Sequence, residues 1–109
     1  MDLAEQIKHD IENTPIILYM KGTKEQPQCG FSNAVVQVLD FYGVEYKDVN
    51  ILVTPEIRER LSEYSNWPTI PQLFVNGELI GGADIVMELH NKEEMITVLE
   101  RALISPSQS

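Results

Sequence analysis

The sequence predicts a single α/β domain in which helices flank a mixed four-stranded sheet. A strand–helix–strand order in the first half of the chain requires a parallel pair of strands. The dipeptide Asn76–Gly77, set between two short apolar runs, favours an antiparallel hairpin. The 109 residues suffice for one compact domain but not for two. We expect this domain to span residues 1–104, followed by a disordered tail at 105–109.

The first half of the chain alternates between helical and strand patterns. An apolar residue at every fourth position predicts an amphipathic helix over residues 2–13. The apolar run Ile16–Met20 predicts a buried strand. Helical periodicity resumes near Cys29 and ends at Gly43, a residue type that commonly terminates helices. A short strand is then expected over Val44–Val49.

The second half is expected to begin with a helix and to continue into the hairpin. Thr54 and Pro55 predict the N-cap and the first residue of a helix that runs to about Tyr64. The apolar runs on either side of the hairpin turn predict strands over Gln72–Val75 and Glu78–Ile80.

Two short helices are expected to close the chain. Asp84 is predicted to be the N-cap of a helix that runs through His90. Asn91 and Glu94 resemble a capping box, which predicts a last helix whose apolar face includes Leu103. No repeat or low-complexity linker separates these elements.

Charge and cysteine content limit the classes of function. The chain carries 17 acidic and 8 basic side chains, and its formal net charge of -9 would repel a phosphate backbone, so we expect no nucleic-acid partner. One cysteine allows neither an internal disulfide nor a zinc site of two Cys-x-x-Cys pairs, which favours a reducing compartment. The first residues lack a secretory signal and no apolar segment reaches membrane-spanning length, so we expect a cytoplasmic protein with no membrane partner. An organellar protein that has lost its targeting peptide would have the same features.

Cys29 is the candidate centre of the chemistry. It lies between a polar loop and a predicted helix, where free amides and the helix dipole favour the thiolate. Lys21, just after the preceding strand, adds positive charge at the same edge of the sheet. Ser32 stands where a dithiol enzyme carries its second thiol, so any second thiol must come from outside the chain. The alternatives are a small buried cysteine and a solvated lysine.

Four motifs together carry a family resemblance. They are Lys21–Thr23, Pro27–Ser32, Trp67–Gln72 and Gly81–Asp84. In this order they resemble the monothiol glutaredoxins of the Cys-Gly-Phe-Ser class, and the likeness covers Ile7–Leu103. The resemblance implies a thioredoxin-like fold, which agrees with the mixed sheet predicted from the order of elements.

The resemblance also implies a glutathione site that includes a cis peptide bond before Pro71. The residues that it assigns to glutathione are Lys21, Arg58, Ile70, Ala83 and Asp84. In the family, the two cations face the glycine carboxylate, the Ile70 backbone pairs with the cysteinyl part, and Ala83 and Asp84 hold the γ-glutamyl end. The residue types suit these roles, although Arg58 also fits a solvated helix face and Asp84 a plain N-cap. Many relatives carry a second cysteine where this chain has Ala83, so that disulfide partner is missing.

A count of thiolates leads to the predicted function. A [2Fe-2S] cluster generally takes four thiolates, and this chain has one, Cys29. The resemblance implies that two chains and two glutathione molecules supply the four. It further implies that this homodimer passes the cluster to apo iron–sulfur proteins and shares it with BolA-like partners.

Two other classes of function stay open. In a glutathione-dependent oxidoreductase, Cys29 would attack a protein–glutathione mixed disulfide and a second glutathione would release it. The resemblance links the longer loop before Pro27 to weak reductase activity, and this favours the cluster carrier. An inert interaction module would leave Lys21, Arg58 and Asp84 without a common ligand.

Overall fold

Five helices and four strands make up residues 1–103, the part of the chain that the computed structural model describes. In chain order they are α1 (Leu3–Asn13), β1 (Ile16–Met20), α2 (Gly30–Tyr42), β2 (Lys47–Asn50), α3 (Glu56–Ser65), β3 (Gln72–Val75), β4 (Glu78–Gly81), α4 (Ala83–Asn91) and α5 (Met95–Leu103). This order confirms the predicted succession of elements. The tail expected at 105–109 lies outside the described residues. Within the described part, no helix has the length and apolar character needed to cross a bilayer.

The strands form one mixed sheet in the order β2–β1–β3–β4. β1 and β2 are parallel, and β3 runs antiparallel to both β1 and β4. Because β1 lies inside the sheet, every one of its residues is buried, as its continuous apolar run predicts. Asn76 and Gly77 have φ angles of 51° and 80°, the left-handed backbone that the tight hairpin turn requires. The predicted sheet and hairpin are therefore confirmed.

Two hydrophobic cores lie on opposite faces of the sheet. Side chains alternate along β1, so that Ile16, Leu18 and Met20 pack in one core while Ile17 and Tyr19 pack in the other. Residues of α2, α4 and α5 complete the first core, and residues of α1 and α3 complete the second. The helices thus flank the sheet on both faces. This arrangement places the loop after β1 and the start of α2 at one end of the sheet.

Local sequence sets two of the helix ends. At the start of α1, the Asp2 carboxylate accepts a hydrogen bond from the Glu5 amide at 2.9 Å, and the Glu5 carboxylate accepts one from the Asp2 amide at 3.3 Å. At the end of α2, Gly43 adopts the left-handed conformation with φ 67°. The predicted stop at Gly43 is confirmed.

The strand β2 differs from its predicted bounds at both ends. It runs from Lys47 to Asn50, whereas the alternating pattern predicted Val44–Val49. Its pairing with β1 begins at Ile17 opposite Lys47, so the preceding residues have no strand partner. The pairing with β1 therefore decides where β2 starts.

The helix α3 begins at Glu56, one residue later than predicted, and Pro55 rather than Thr54 is its N-cap residue. Pro55 has helical angles, φ -55° and ψ -29°. The Ile57 amide, however, donates to the carbonyl three residues back, on Thr54, at 3.0 Å. This tight first turn replaces the side-chain cap that was expected of Thr54.

Both predicted caps of the last two helices are wrong. Gly82 is the N-cap residue of α4, so Asp84 is the second residue within the helix. Asn91 cannot cap α5 because it is the last residue of α4. The Glu94 amide donates to the Leu89 carbonyl at 2.8 Å, which extends the hydrogen bonding of α4 past Asn91 and leaves α5 to begin at Met95.

Candidate functional site: a thiol beside a groove

Cys29 occupies the N-cap position of α2, directly after the loop that follows β1. Its backbone is extended, with φ -152° and ψ 139°, and the residue is partly exposed. Parallel pairing of β1 and β2 brings the chain to this edge, and α2 then turns back across the sheet. The sulfur therefore sits where the amides of the first helical turn have no partner within the helix.

These surroundings lower the pKa of the Cys29 thiol. The largest cause is the backbone amide of Ser32, which stabilises the thiolate. The Phe31 amide, the charge of Lys21 and the Ser32 hydroxyl act in the same direction, while partial burial opposes them. More of the thiol is therefore ionised near neutral pH than in a free cysteine, as a nucleophile or an iron ligand requires.

Ser32 holds the start of α2 against the end of β1. Its side chain is fully buried, and its Oγ accepts a hydrogen bond from the Lys21 amide at 3.1 Å. The position at which a dithiol protein has a second sulfur is therefore a satisfied structural hydroxyl. The sequence predicted that Ser32 forms no disulfide, but it did not indicate this hydrogen bond.

A groove of about 200 Å³ opens next to the thiol. Residues from the start of α2, from the segment before β3 and from the start of α4 line it: Phe31, Trp67, Thr69, Ile70, Pro71, Gly82, Ala83, Asp84 and Ile85. Phe31 lies two residues after Cys29, and its side chain is 65% exposed. The structure thus brings Ile70, Ala83 and Asp84, three of the five residues assigned to glutathione, to one groove.

The side chain of Gln72 holds the segment before β3 that lines the groove. The peptide bond between Ile70 and Pro71 is cis. Gln72 is fully buried, and its Nε2 donates to the carbonyls of Trp67 at 2.8 Å and Thr69 at 3.1 Å. These two bonds fix the segment that lines the groove. Sequence reasoning missed this role, because a glutamine in a strand does not reveal that its amide turns back onto the preceding loop.

Gly82 keeps the groove open. A Cβ atom on this residue would lie 3.1 Å from the Pro71 carbonyl oxygen and 3.4 Å from Trp67 Nε1. The first distance is tighter than ordinary van der Waals contact, so a side chain here would press on the wall of the groove. Sequence reasoning left Gly82 outside the site, and only the packing shows that it belongs to it.

The two ends of the groove offer different chemistry. At the start of α4, the first backbone amides have no partner within the helix and favour an anion, and the exposed Asp84 carboxylate lies beside them as an acceptor. An amino-acid group with both an ammonium and a carboxylate matches this pair. From the start of α2, the exposed residue Phe31 adds an apolar ring to the lining, two residues after the thiol.

The two predicted cations lie outside this groove. Lys21 follows β1 and acts on Cys29 through its charge. Arg58 is exposed on the first turn of α3 and is not among the residues that line the groove. Among residues 1–103, neither side chain forms a salt bridge, whereas the nearby Arg60 pairs with Glu63 at 2.7 Å. Arg58 therefore stays apart from the residues that the structure brings together.

Comparison with known proteins shows the family to which this chain is similar. The glutaredoxin family model matches residues 16–80. The chain is 50% identical over 96 residues to a probable monothiol glutaredoxin 2 of Rickettsia felis. The aligned region covers 88% of this chain and 92% of that protein. It is similar to the structure of reduced poplar apo GrxS14, with a TM-score of 0.82, 42% identity and 94% of each chain covered. The holo form of glutaredoxin C1 from Populus tremula x tremuloides has a TM-score of 0.83 and 26% identity, covering 94% of this chain and 91% of that one.

These likenesses confirm the predicted thioredoxin-like fold. The single cysteine, in Cys29-Gly30-Phe31-Ser32, identifies the class. The chain therefore belongs to the glutaredoxin family, as a monothiol member of the Cys-Gly-Phe-Ser class.

Proposed function

We propose that this protein binds a [2Fe-2S] cluster together with glutathione and transfers it to apo-proteins during iron–sulfur cluster assembly. One observation carries the proposal: Cys29 is a partly exposed thiol with a lowered pKa, and the buried Ser32 hydroxyl stands in place of a second sulfur. A cysteine must be deprotonated to ligate iron. Because no internal disulfide competes, the thiolate stays available as a ligand.

The number of ligands supports a shared cluster. Among residues 1–103, no group of three or more His, Cys, Asp or Glu side chains is placed to hold a metal ion. A [2Fe-2S] cluster that takes four thiolates would then need one Cys29 from each of two chains and one thiol from each of two glutathione molecules. The partly exposed position of Cys29 at a helix end suits such an assembly. In this proposal the homodimer forms when the cluster binds.

The groove supports glutathione as the second source of thiolate. Its end at α4 matches the γ-glutamyl ammonium and carboxylate through Asp84 and the amides near Ala83. Ile70 also lines the groove, and the cysteinyl part is proposed to lie along its backbone with its sulfur toward Cys29. Lys21 and Arg58 are proposed to attract the glycine carboxylate, and both are cations in a chain with a formal net charge of -9.

Partners and location complete the proposal. The similar glutaredoxin C1 structure is described as a holo form, which supports a bound group in the family. We propose apo iron–sulfur proteins as recipients of the cluster and a BolA-like protein as a partner that shares it. A reducing compartment such as the cytoplasm would keep the lone thiol reduced.

The lowered pKa of Cys29 also favours a second candidate function, a glutathione-dependent oxidoreductase. The Cys29 thiolate would attack the glutathione sulfur of a mixed disulfide, form a Cys29–glutathione disulfide and release the protein thiolate. The thiolate of a second glutathione would then attack that adduct, release glutathione disulfide and regenerate Cys29. This cycle needs no second cysteine in the chain.

Anaerobic reconstitution with iron, sulfide and glutathione tests the first function. The wild-type protein should develop visible absorption and elute as a dimer, while Cys29→Ser and wild type without glutathione should stay colourless monomers. Asn33→Ser, an exposed change on the same helix, is the matched control and should behave as wild type. A colourless wild-type monomer with strong glutathione-disulfide reductase activity would instead establish the oxidoreductase.

A further inference from the structure

The segment between β1 and Cys29 forms a closed loop. We name residues Lys21–Gln28 the thiol loop. A backbone hydrogen bond of 2.9 Å joins its two ends, and Gly22 pairs with Pro27 as an isolated antiparallel bridge. The loop ends at Gln28, directly before the N-cap residue Cys29, so its conformation determines how the chain enters α2.

Gly22 shows how tightly the thiol loop is closed. Its φ is +89°, and a Cβ atom would lie 2.5 Å from the Gln26 carbonyl oxygen and 2.6 Å from the Gln28 amide nitrogen. Only glycine fits there without a shift of the backbone. The backbone of the loop is therefore closely packed around Gly22.

Two side chains of the edge strand β2 hold this conformation. Asn50 Oδ1 accepts hydrogen bonds from the Gly22 amide at 2.9 Å and from the Leu52 amide at 3.0 Å. Asp48 Oδ2 accepts one from the Lys24 amide at 2.9 Å. Residues two apart in a strand point to the same face, so both acceptors meet the loop from one side. These bonds come from side chains and add to the pairing of β2 with β1.

Lys24 adds a third connection from the loop to the chain before β2. Its Nζ donates to the Tyr46 carbonyl at 3.0 Å and lies 4.7 Å from the centre of the Tyr46 ring. The Lys24 amide is also the donor of the hydrogen bond to Asp48, so this one residue joins the loop to both Tyr46 and Asp48. The middle of the loop is therefore held by two hydrogen bonds of Lys24, in addition to the bond at Gly22.

We infer that Asp48 and Asn50 are positioning residues for Cys29, which act by holding the thiol loop in place. The loop begins at Lys21, whose amide also donates to Ser32 in α2, so the anchors on β2 and the thiol are joined through two short connections. The anchors act as hydrogen-bond acceptors, and a negative charge is not required. The effect on Cys29 concerns the thiol itself, and only the effect on the cluster rests on the proposed function.

Paired substitutions test this inference on the full chain. Asp48→Ala and Asn50→Ala remove the acceptors, whereas Asp48→Asn and Asn50→Asp keep an oxygen in place. All rates are measured at high ionic strength, which screens the charge that a substitution adds or removes. In the alanine variants, amide hydrogen exchange at Gly22 and Lys24 should be about tenfold faster, the usual effect of one lost hydrogen bond. Alkylation of Cys29 by iodoacetamide at one fixed pH should be about threefold slower, since the loop that leads into the start of α2 is no longer held in place. The conservative variants should restore both rates.

The cluster gives an independent spectroscopic readout. After reconstitution, the visible circular dichroism of the cluster should change and its absorbance should decay about tenfold faster in the alanine variants than in the conservative ones. Lys24→Met removes only the ammonium group. It should make amide exchange faster and alkylation slower, each by a smaller factor than in the alanine variants. It also provides a folded variant for comparison if an alanine variant does not fold. Lys47→Ala, on the opposite face of β2, should match wild type in every measurement.

The outcomes separate the inference from the proposed function. If wild type forms no cluster, the proposed function fails, and the exchange and alkylation rates still decide the role of the anchors. Faster loop exchange with unchanged alkylation in folded variants would overturn the inference. Conservative variants as impaired as the alanine ones would overturn it too, because the acceptor would then not be the cause.

Discussion

The Ser32 hydroxyl accepts a hydrogen bond from the Lys21 amide at 3.1 Å, and this bond joins the start of the helix that carries the thiol to the end of the central strand. Lys21 also contributes positive charge to the lowered pKa of Cys29. The same two residues therefore support the fold and affect the thiol. This link makes the site sensitive to changes that do not touch the sulfur.

Replacement of Ser32 by alanine should destabilise the fold. The substitution leaves the Lys21 amide without its acceptor in a partly buried place, which costs about 1–3 kcal/mol. Urea denaturation should show this loss as a lower free energy of unfolding. Ser62→Ala in α3 is the matched control and should change stability by less than about 0.5 kcal/mol. Equal stability of Ser32→Ala and wild type would show that the bond contributes nothing.

The alkylation rate of Cys29 should depend on pH in the way that a lowered pKa requires. The thiolate is the reacting form, so the rate should reach its plateau at a lower pH than that of a free cysteine, whose pKa is about 8.5. Lys21→Gln should shift the profile to higher pH, and Lys21→Arg should restore it. Because the amides of Ser32 and Phe31 remain, the shift should be partial.

The lowered pKa of Cys29 also predicts how the free energy of unfolding changes with pH. A folded-state pKa below the unfolded value means that the unfolded chain binds more protons, so the contribution of Cys29 is complete above the unfolded pKa and is lost as pH falls through the folded one. The difference in unfolding free energy between wild type and Cys29→Ser should therefore grow as pH rises toward about 8.5. A constant difference would contradict the lowered pKa.

Arg58 should contribute to glutathione binding through its charge. Arg58→Gln is expected to weaken glutathione affinity by about fivefold, with a larger effect at low salt, as for an exposed charge that attracts a carboxylate. Arg60→Gln is the matched control, because Arg60 is already paired with Glu63 at 2.7 Å. Titration calorimetry measures both. Equal affinities would remove Arg58 from the proposed site and favour the solvated helix face.

An alanine at position 82 should narrow the groove. The added methyl group would press on the Pro71 carbonyl, so we expect glutathione affinity to fall about tenfold. Gly30→Ala is a fair comparison, since a Cβ atom there meets nothing within 4 Å. Affinity that is unchanged in Gly82→Ala, measured by the same calorimetry, would mean that the ligand does not use this wall.

Much of the backbone followed from signals that act over a few residues. The apolar run of β1, the stop at Gly43 and the turn at Asn76–Gly77 were all predicted, because burial of a strand and left-handed turns depend on the residues themselves. The position of Cys29 at a helix start has the same origin. The caps at Thr54 and Asp84 were wrong, because helix boundaries also depend on how the preceding turn packs.

Contacts between distant parts of the chain were decided by the tertiary structure alone. Gly22 and Asn50 are 28 residues apart, and Lys24 and Asp48 are 24 apart, yet each pair is joined by a hydrogen bond. No local sequence pattern predicts such a bond, since it forms only after β1 and β2 have paired. The lone thiol could therefore be identified from its own neighbourhood in the sequence, whereas the side chains that hold it in place could be found only in the folded protein.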